Sequence, residues 1–382
     1  MLERYGHGGD WVTARELYGA VDGPNAFVDF SANMNPFGPP ACVGGILRSY
    51  ADAGEIARYP DPAVRGLRGK LADRHGVSAD GLLAGNGAAE LIELLFRALR
   101  PKTTVLAEPC FGEYREAAEK NGSTVRAIRL RAEDGFRLTD EAVERMLRQL
   151  RETGLAPSET LWILGSPNNP TGECVARSVT EKLLASGAAV ALDEAFMDFA
   201  ANEPELSLLR EAVSRVRLVV IRSMTKFYAV PGIRLGYMAA QPALIRRLAA
   251  LQVPWSVNSL AQRIGEAVLD EAEYAARTVA WARDERAWLA ARLTELGLTA
   301  YGGAVVNYVL AAMPSRIGWT SDRLQEALGR QGILIRDASR FGGLDRRFFR
   351  IAVRLREDNE TLLAALRALL ARPMPEKEAT EA

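Results

Sequence analysis

Ile221-Arg222-Ser223-Met224-Thr225-Lys226-Phe227-Tyr228, followed after Ala229 by Val230-Pro231-Gly232-Ile233-Arg234-Leu235-Gly236-Tyr237, sets a lysine among hydroxyls and aromatics just beyond an apolar run. The run 218–221 predicts a strand, so Lys226 falls on the loop at its carboxyl end. Working outward, similar short apolar runs predict strands at 82–84, 104–107, 125–130, 161–164, 190–192 and 235–239. Amphipathic stretches between them predict helices at 88–99, 113–120, 139–151 and 176–186, the third opened by Thr139 as an N-cap. Repeated strand and helix units predict an α/β fold whose mainly parallel sheet is covered on both faces, with the site at the carboxyl ends of its strands.

Upstream, a short helix at 13–18 lies in an otherwise irregular arm, and helices are expected at 41–53 and 64–75. Between those two, Arg58-Tyr59-Pro60-Asp61-Pro62 imposes an extended loop, because each proline biases its predecessor away from helix. His75, in Ala72-Asp73-Arg74-His75-Gly76, reads as a surface cap at a helix end. Downstream, a long helical region at 260–296, broken once, leads into a smaller α+β unit. Its strands are expected near 305–311, 333–335 and 349–353, and its helices at 320–329 and 359–370. The expected division is an N-terminal arm (1–40) that also covers the active site, a large domain (41–265), a small C-terminal domain (266–372) and a flexible tail (373–382).

Composition narrows the function classes. With 382 residues, 48% of them hydrophobic, the chain can bury more than one core and is not a disordered segment. Basic and acidic residues balance at 48 each, so the electrostatic footprint of a nucleic-acid binder is absent. Cys42, Cys110 and Cys174 are odd in number and widely spaced, which gives neither a disulfide framework nor a zinc cluster. Charges at Glu3, Arg4, Asp10, Arg15 and Glu16 interrupt the opening residues, and no run is long and apolar enough to cross a bilayer. A cytoplasmic protein with no nucleic-acid or membrane partner is expected.

Four segments at predicted strand ends could carry chemistry. Leu83-Ala84-Gly85-Asn86-Gly87-Ala88-Ala89-Glu90 runs from strand into helix, where backbone N–H groups and the helix N-terminus favour an anion. Alone it reads equally well as a plain turn. Gly165-Ser166-Pro167-Asn168-Asn169-Pro170-Thr171-Gly172 is a stiff loop that could hold an amide against a ligand, or a surface β-turn. In Ala191-Leu192-Asp193-Glu194-Ala195-Phe196 a carboxylate follows a core strand and needs a cationic neighbour, which a buried arginine could supply without any function. The Lys226 segment is the most informative. The chain has six lysines, and this one sits where partial desolvation would depress its pKa and let it form an imine. Ser223, Thr225 and Arg234 suit a phosphate beside it, and imine with phosphate together point to pyridoxal phosphate.

In order and spacing, Gly85-Asn86-Gly87, Asn168-Asn169-Pro170-Thr171-Gly172, Asp193-Glu194-Ala195-Phe196 and Ser223-Met224-Thr225-Lys226 with Arg234 resemble the fold type I pyridoxal-phosphate enzymes of the aspartate aminotransferase superfamily. The resemblance runs from about Phe30 to Leu370. It is nearest the branch that holds the histidinol-phosphate aminotransferases and threonine-phosphate decarboxylases. The decarboxylase side is favoured by Gly6-His7-Gly8-Gly9, Phe30-Ser31-Ala32-Asn33-Met34-Asn35-Pro36, Gln252-Val253-Pro254-Trp255-Ser256-Val257-Asn258, the pair Arg336 and Arg350, and Phe196 where the aminotransferases usually carry Tyr. Two departures are Asp10, where relatives have Asn, and Ala88-Ala89, where a hydroxyl or carboxylate is more familiar.

The resemblance implies a large domain with a mainly parallel mixed sheet between helices, a smaller C-terminal α+β domain, and pyridoxal 5'-phosphate as cofactor. Lys226 would bind the cofactor covalently, Asp193 would pair with its ring N–H, and Asn169 would donate to its phenolic oxygen. Gly87 and Ala88, through their backbone, would hold the phosphate with Ser223, Thr225 and Arg234, helped by Tyr59 of a second subunit. Phe111, or Tyr114, would stack on the ring. Arg350 would take the substrate carboxylate, and Arg336 the substrate phosphate with His7 from the arm, Asn33 lying nearby. A homodimer with shared active sites and a phosphorylated amino-acid substrate follow. The implied reaction is decarboxylation of L-threonine O-3-phosphate to (R)-1-amino-2-propanol O-2-phosphate in cobalamin assembly. Histidinol-phosphate transamination with 2-oxoglutarate and glutamate, or decarboxylation of O-phosphoserine, are the alternatives.

Overall fold

A two-residue strand near the arm, β1 (Val28–Asp29), precedes seven strands of one sheet: β2 (Leu82–Gly85), β3 (Thr103–Glu108), β4 (Thr124–Arg129), β5 (Thr160–Gly165), β6 (Ala189–Asp193), β7 (Leu218–Ser223) and β8 (Gly236–Ala240). The computed structural model describes residues 2, 7–19, 27–303 and 305–371. The sheet order is β2-β8-β7-β6-β5-β3-β4, with β3 to β7 mutually parallel and β8 antiparallel to both of its neighbours.

Period-two alternation explains why this sheet must be covered twice. On β5, Trp162 and Leu164 join one apolar cluster while Leu161 and Ile163 join the other. Val190 and Leu192 oppose Ala189 and Ala191 on β6, and Leu218 and Val220 oppose Val219 and Ile221 on β7. Each fully buried Leu, Ile or Val contributes about 1.5 to 3 kcal/mol, so neither face can be left to water. The helices Gly87–Leu99, Glu113–Lys120 and Pro242–Leu251 cover one face. Arg65–His75, Asp140–Glu152, Arg177–Ala185 and Ser259–Val268 cover the other.

All seven expected strands of this sheet form, the last displaced by one residue because Arg234 takes a left-handed conformation before the chain turns into β8. Thr139 caps its helix by accepting from the Ala142 N–H. The helix Pro242–Leu251 was not among the expected elements. The long helical region breaks once, into Ser259–Val268 and Ala272–Glu295. Beyond it, β9 (Thr299–Tyr301), β10 (Tyr308–Ala312), β11 (Ile333–Leu334), β12 (Arg336–Asp337) and β13 (Phe348–Ala352) follow. A separate antiparallel sheet has the order β12-β13-β10-β9, while β11 leaves it to pair in parallel with β1. The strand expected at 333–335 forms as β11 and ends at Leu334, the chain changing sheet at Ile335 before β12, and the one expected at 305–311 begins only at Tyr308. In the arm, the helix Trp11–Tyr18 starts at Asp10, whose carboxylate accepts from the Thr13 N–H and hydroxyl. Gly6 of the arm motif and the tail at 373–382 lie outside the described residues. Among the described residues no helix is long and apolar enough to cross a membrane.

His75 is not the surface cap that its position suggested. Gly76 closes the helix in a left-handed conformation, while the imidazole turns inward and its Nε2 lies 2.9 Å from the Tyr237 hydroxyl. Burial first, and then the charges of Arg222, Arg74 and Arg210, lower its pKa from 6.5 to about 3. Between those two values the unfolded chain binds a proton that the folded chain refuses, so stability falls as pH drops below 6.5, by up to about 1.4 kcal/mol per pH unit. Relative to a His75→Gln variant, the wild-type protein should therefore lose about 2 kcal/mol more unfolding free energy between pH 7.5 and pH 5. Parallel denaturant titrations at the two pH values check this, and equal losses in both proteins would refute it.

Candidate active site

The carboxyl ends of β3, β5, β6 and β7 open on one edge of the sheet, and β2 and β8 bring two further loops there. Gly236 opens β8 between Gly85 of β2 and Ser223 of β7. A Cβ on Gly236 would lie 2.9 Å from the Ala88 nitrogen, so only glycine lets the three loops close together. Gly87 begins the helix Gly87–Leu99 at φ +80, and a Cβ there would lie 2.6 Å from Arg234 Nη2. The result is a cup of helix N-terminal N–H groups, the guanidinium of Arg234, and the hydroxyls of Ser223 and Thr225, which are 2.9 Å apart. Such a donor set fits a phosphate dianion.

Lys226 lies at the lip of this cup, its Nζ donating to Ser223 Oγ at 3.1 Å. Loss of water pushes its pKa below the ordinary lysine range; Asp193 opposes that shift, and Arg234 and Arg350 add to it. A lysine so placed holds a larger neutral, nucleophilic fraction than a surface lysine. Its Nζ also lies 5.8 Å from the centre of the Phe196 ring.

Asp193 ends β6, buried, and accepts from the Tyr114 hydroxyl at 2.7 Å and from the Ala195 N–H at 3.0 Å. Burial drives its carboxyl pKa upward, and the Tyr114 hydrogen bond, Lys226 and the Ala195 N–H act against it. A cation beside this carboxylate would finish the compensation, which is what a protonated ring nitrogen provides. Tyr114 was expected as an alternative stacking ring. Its hydroxyl is instead committed to Asp193, and its ring stands edge-on to Phe111, leaving Phe111 as the partly open aromatic. Sequence spacing held a signal for this, since Phe111 and Tyr114 are three apart at the start of a helix, where side chains share a face.

The buried arginine that could have neutralised Asp193 is Arg222, and it serves the next residue. It donates to Glu194 at 2.8 Å, Asp198 at 3.1 Å, Glu203 at 2.5 Å and the Ser207 hydroxyl at 2.9 Å. Of the paired asparagines, Asn168 is structural, donating to the Pro109 carbonyl and the Thr171 hydroxyl. Asn169 is the one open to the site, and its Oδ1 accepts from Arg350 Nη1 at 2.5 Å. Its Nδ2 hydrogens remain for another acceptor.

Arg350 on β13 and Arg336 on β12 are directly opposed cross-strand partners, both buried. Arg350 also donates to the Ser31 carbonyl at 2.7 Å and lies 5.6 Å from the Tyr308 ring centre. Two guanidiniums brought together on neighbouring strands present planar, forked donors of the kind that suit carboxylate or phosphate. Asn33 is buried too, and its carbonyl accepts from Asn307 Nδ2 at 3.1 Å. Neither Asn33 Oδ1 nor Asn307 Oδ1 has a hydrogen-bond partner among the described residues. Asn307 and Tyr308 escaped the sequence reading, because nothing local distinguishes them from other strand-end polar residues.

Two further expected residues lie outside the cup. His7 contacts its own chain, with Nε2 2.8 Å from Glu113 and the ring 6.1 Å from that of Phe111. It therefore stands beside the expected stacking ring. Tyr59 is 82% exposed and packs on Trp255 at 4.8 Å, with no described contact to its own chain's cup.

Comparison with known proteins agrees with this geometry. The chain is 37% identical to the threonine-phosphate decarboxylase of Salmonella typhimurium, over 95% of this chain and 96% of that protein. It is 31% identical to a histidinol-phosphate aminotransferase of Oleidesulfovibrio alaskensis, over 93% and 90% respectively. Among solved structures, the histidinol-phosphate aminotransferase of Clostridium acetobutylicum superposes with a TM-score of 0.79 at 27% identity, covering 90% of this chain and 98% of that one. The model of aminotransferase class I and II matches residues 25–368, and with the strand-end lysine, aspartate and phosphate cup all in place, the chain belongs to the aminotransferase class I and II family.

Proposed function

We propose that the chain removes CO₂ from L-threonine O-3-phosphate, yielding (R)-1-amino-2-propanol O-2-phosphate for cobalamin assembly, with pyridoxal 5'-phosphate held at Lys226. The observation that carries this reading is the buried cross-strand pair Arg336 and Arg350 beside the Lys226 cup. Two adjacent guanidiniums present forked donors that suit a ligand with two anionic groups, and threonine phosphate carries a carboxylate and a phosphate. Other doubly anionic ligands would satisfy the same pair. Among them the choice follows the likeness, which is greater to the decarboxylase of Salmonella typhimurium than to the aminotransferase of Oleidesulfovibrio alaskensis.

Each part of the site then has a task. The bound cofactor supplies an electron sink for the pair left on Cα when CO₂ departs. Gly87, Ala88, Ser223, Thr225 and Arg234 hold its phosphate, Asp193 its ring nitrogen, and Phe111 one face of its ring. Asn169 spans the two halves of the site, with Oδ1 on Arg350 and Nδ2 left for the cofactor's phenolic oxygen. Phe196 brings no hydroxyl to that oxygen, so Asn169 is the donor there. Arg350 would grip the substrate carboxylate and Arg336 the phosphate, and two fixed anchors would decide which bond to Cα is presented for cleavage. Lys226 Nζ returns a proton to Cα once CO₂ has left. Its lowered pKa suits a group that must take and give a proton near neutral pH.

The protein works as a cytoplasmic homodimer, the exposed Tyr59 and Trp255 pair lying at the subunit interface and Tyr59 reaching the partner's phosphate cup. A large domain at 41–265 carries the cofactor, and a small one at 266–372 carries Arg336 and Arg350.

Borohydride treatment of the yellow holoenzyme should fix the cofactor to Lys226, and Lys226→Ala should fold yet lose turnover; a peptide map placing the label on Lys70 or Lys182 would refute the assignment. Replacement of Tyr114 by Phe should weaken cofactor binding about tenfold, near 1.4 kcal/mol, because Asp193 loses a charge-assisted hydrogen bond; unchanged affinity in equilibrium dialysis would count against that role. Holoenzyme given L-threonine O-3-phosphate without a keto acid should release CO₂ and the aminopropanol phosphate in equal amounts. In the same assay Arg336→Met should reduce the preference for phosphorylated over plain threonine by about 2 kcal/mol. No CO₂, with amino transfer from histidinol phosphate to 2-oxoglutarate instead, would replace the decarboxylase by the aminotransferase.

A further inference from the structure

Ser31 lies where the N-terminal arm, the core of the chain and the Arg350 guanidinium meet. Its carbonyl accepts from Arg350 Nη2 at 2.7 Å. Its hydroxyl accepts from the Gly9 N–H at 2.9 Å and donates to Asp29 at 2.6 Å, and its own N–H also binds Asp29, at 2.7 Å. The second oxygen of that carboxylate takes the indole N–H of Trp11 at 2.9 Å. Gly8 packs on the same carbonyl that Arg350 uses, so closely that a Cβ on Gly8 would lie 2.2 Å from the Ser31 oxygen. On its other side, the segment is stitched to the C-terminal strands by Phe30 N–H to the Leu334 carbonyl and Ala352 N–H to the Phe30 carbonyl.

We infer that Ser31 is a positioning residue that couples seating of the N-terminal arm to the orientation of the Arg350 guanidinium. With the arm down, Gly8 shields the Ser31 carbonyl from water, and Gly9 and Trp11 hold Ser31 and Asp29 in place. Arg350 is then tethered at both outer nitrogens, to Asn169 and to Ser31. With the arm lifted, the carbonyl is hydrated, the Ser31 hydroxyl and Asp29 each lose a donor, and one tether of Arg350 loosens. Coupling of this kind is reciprocal, so a carboxylate bound to Arg350 must in turn hold the arm down. The arm thereby latches the carboxylate end of the site, a role separate from any contact His7 makes with a phosphate.

The inference rests on the reading of Arg350 as the carboxylate anchor, and the test uses a ligand that needs no turnover. In wild-type holoenzyme, saturating L-threonine should slow tryptic cleavage after Arg15, which lies exposed on the arm helix, about tenfold. Gly8→Ala, which leaves no room for the arm against Ser31, should abolish that protection. It should raise the dissociation constant for L-threonine and the KM for L-threonine O-3-phosphate by a similar factor of about ten, with kcat within threefold of wild type. Trp11→Phe, which keeps the packing and drops only the indole donor to Asp29, should shift the same quantities in the same direction by about threefold. Absence of protection by L-threonine in the wild type would overturn the inference. So would a Gly8→Ala effect confined to the phosphorylated ligand, since the arm would then act through His7. Failure of the wild-type enzyme to release CO₂ would overturn the decarboxylase reading instead, while protection and L-threonine affinity would still report on the coupling.

Discussion

The ion pair between Arg222 and Glu194, with neither side chain open to water, ties the end of β7 to the end of β6. The residues immediately beside them, Ser223 and Asp193, face the site. Buried ion pairs are weak contributors to net stability, because desolvation offsets most of the attraction. Removing one partner is another matter and costs about 3 to 5 kcal/mol, since the other charge is stranded. Arg222 draws Glu194, Asp198, Glu203 and Ser207 together, so the loop after β6 cannot drift from the loop after β7. The spacing between the carboxylate of Asp193 and the amine of Lys226 depends on that restraint.

A second tie joins the two sheets. Arg350 belongs to the C-terminal antiparallel sheet, yet its outer nitrogens reach Asn169, on the loop after β5, and Ser31, in the segment behind the arm. One guanidinium thus ties its own strand to two segments that are far apart in sequence. Its planar fork can satisfy two fixed acceptors and still face a ligand, which an ammonium could not do with the same rigidity. Arg336, directly opposite on β12, brings a second guanidinium to this corner of the molecule.

How far sequence reasoning reached depended on how local each signal was. The seven strands of the main sheet were legible because apolar runs bounded by turn residues are a local pattern. Lys226, Asp193 and Arg234 could be singled out because each sits in a short segment whose residue types share one chemistry. His75 was misread, since its neighbours are those of a helix end and only Tyr237, 162 positions away, draws it inward. The tie between Tyr114 and Asp193 was out of reach for a similar reason, since the carboxylate that takes its hydroxyl comes from a strand 79 positions away. The run at 333–335 hides a change of sheet, because the partner that captures β11 is β1, some 300 positions earlier.

The amino-acid sequence by itself determined the alternation of strand and helix, the two-sided burial of the sheet and the kind of chemistry available at its edge. Hydrophobic period, glycine and proline placement and side-chain type act over a few residues, and so can be read from them. Only the tertiary structure decided which carboxylate the buried arginine serves, and that Arg336 and Arg350 stand side by side. It also placed Gly8 on the carbonyl that holds Arg350. Those are contacts between distant segments, settled by how the strands order themselves and by the requirement that each buried polar group find a partner.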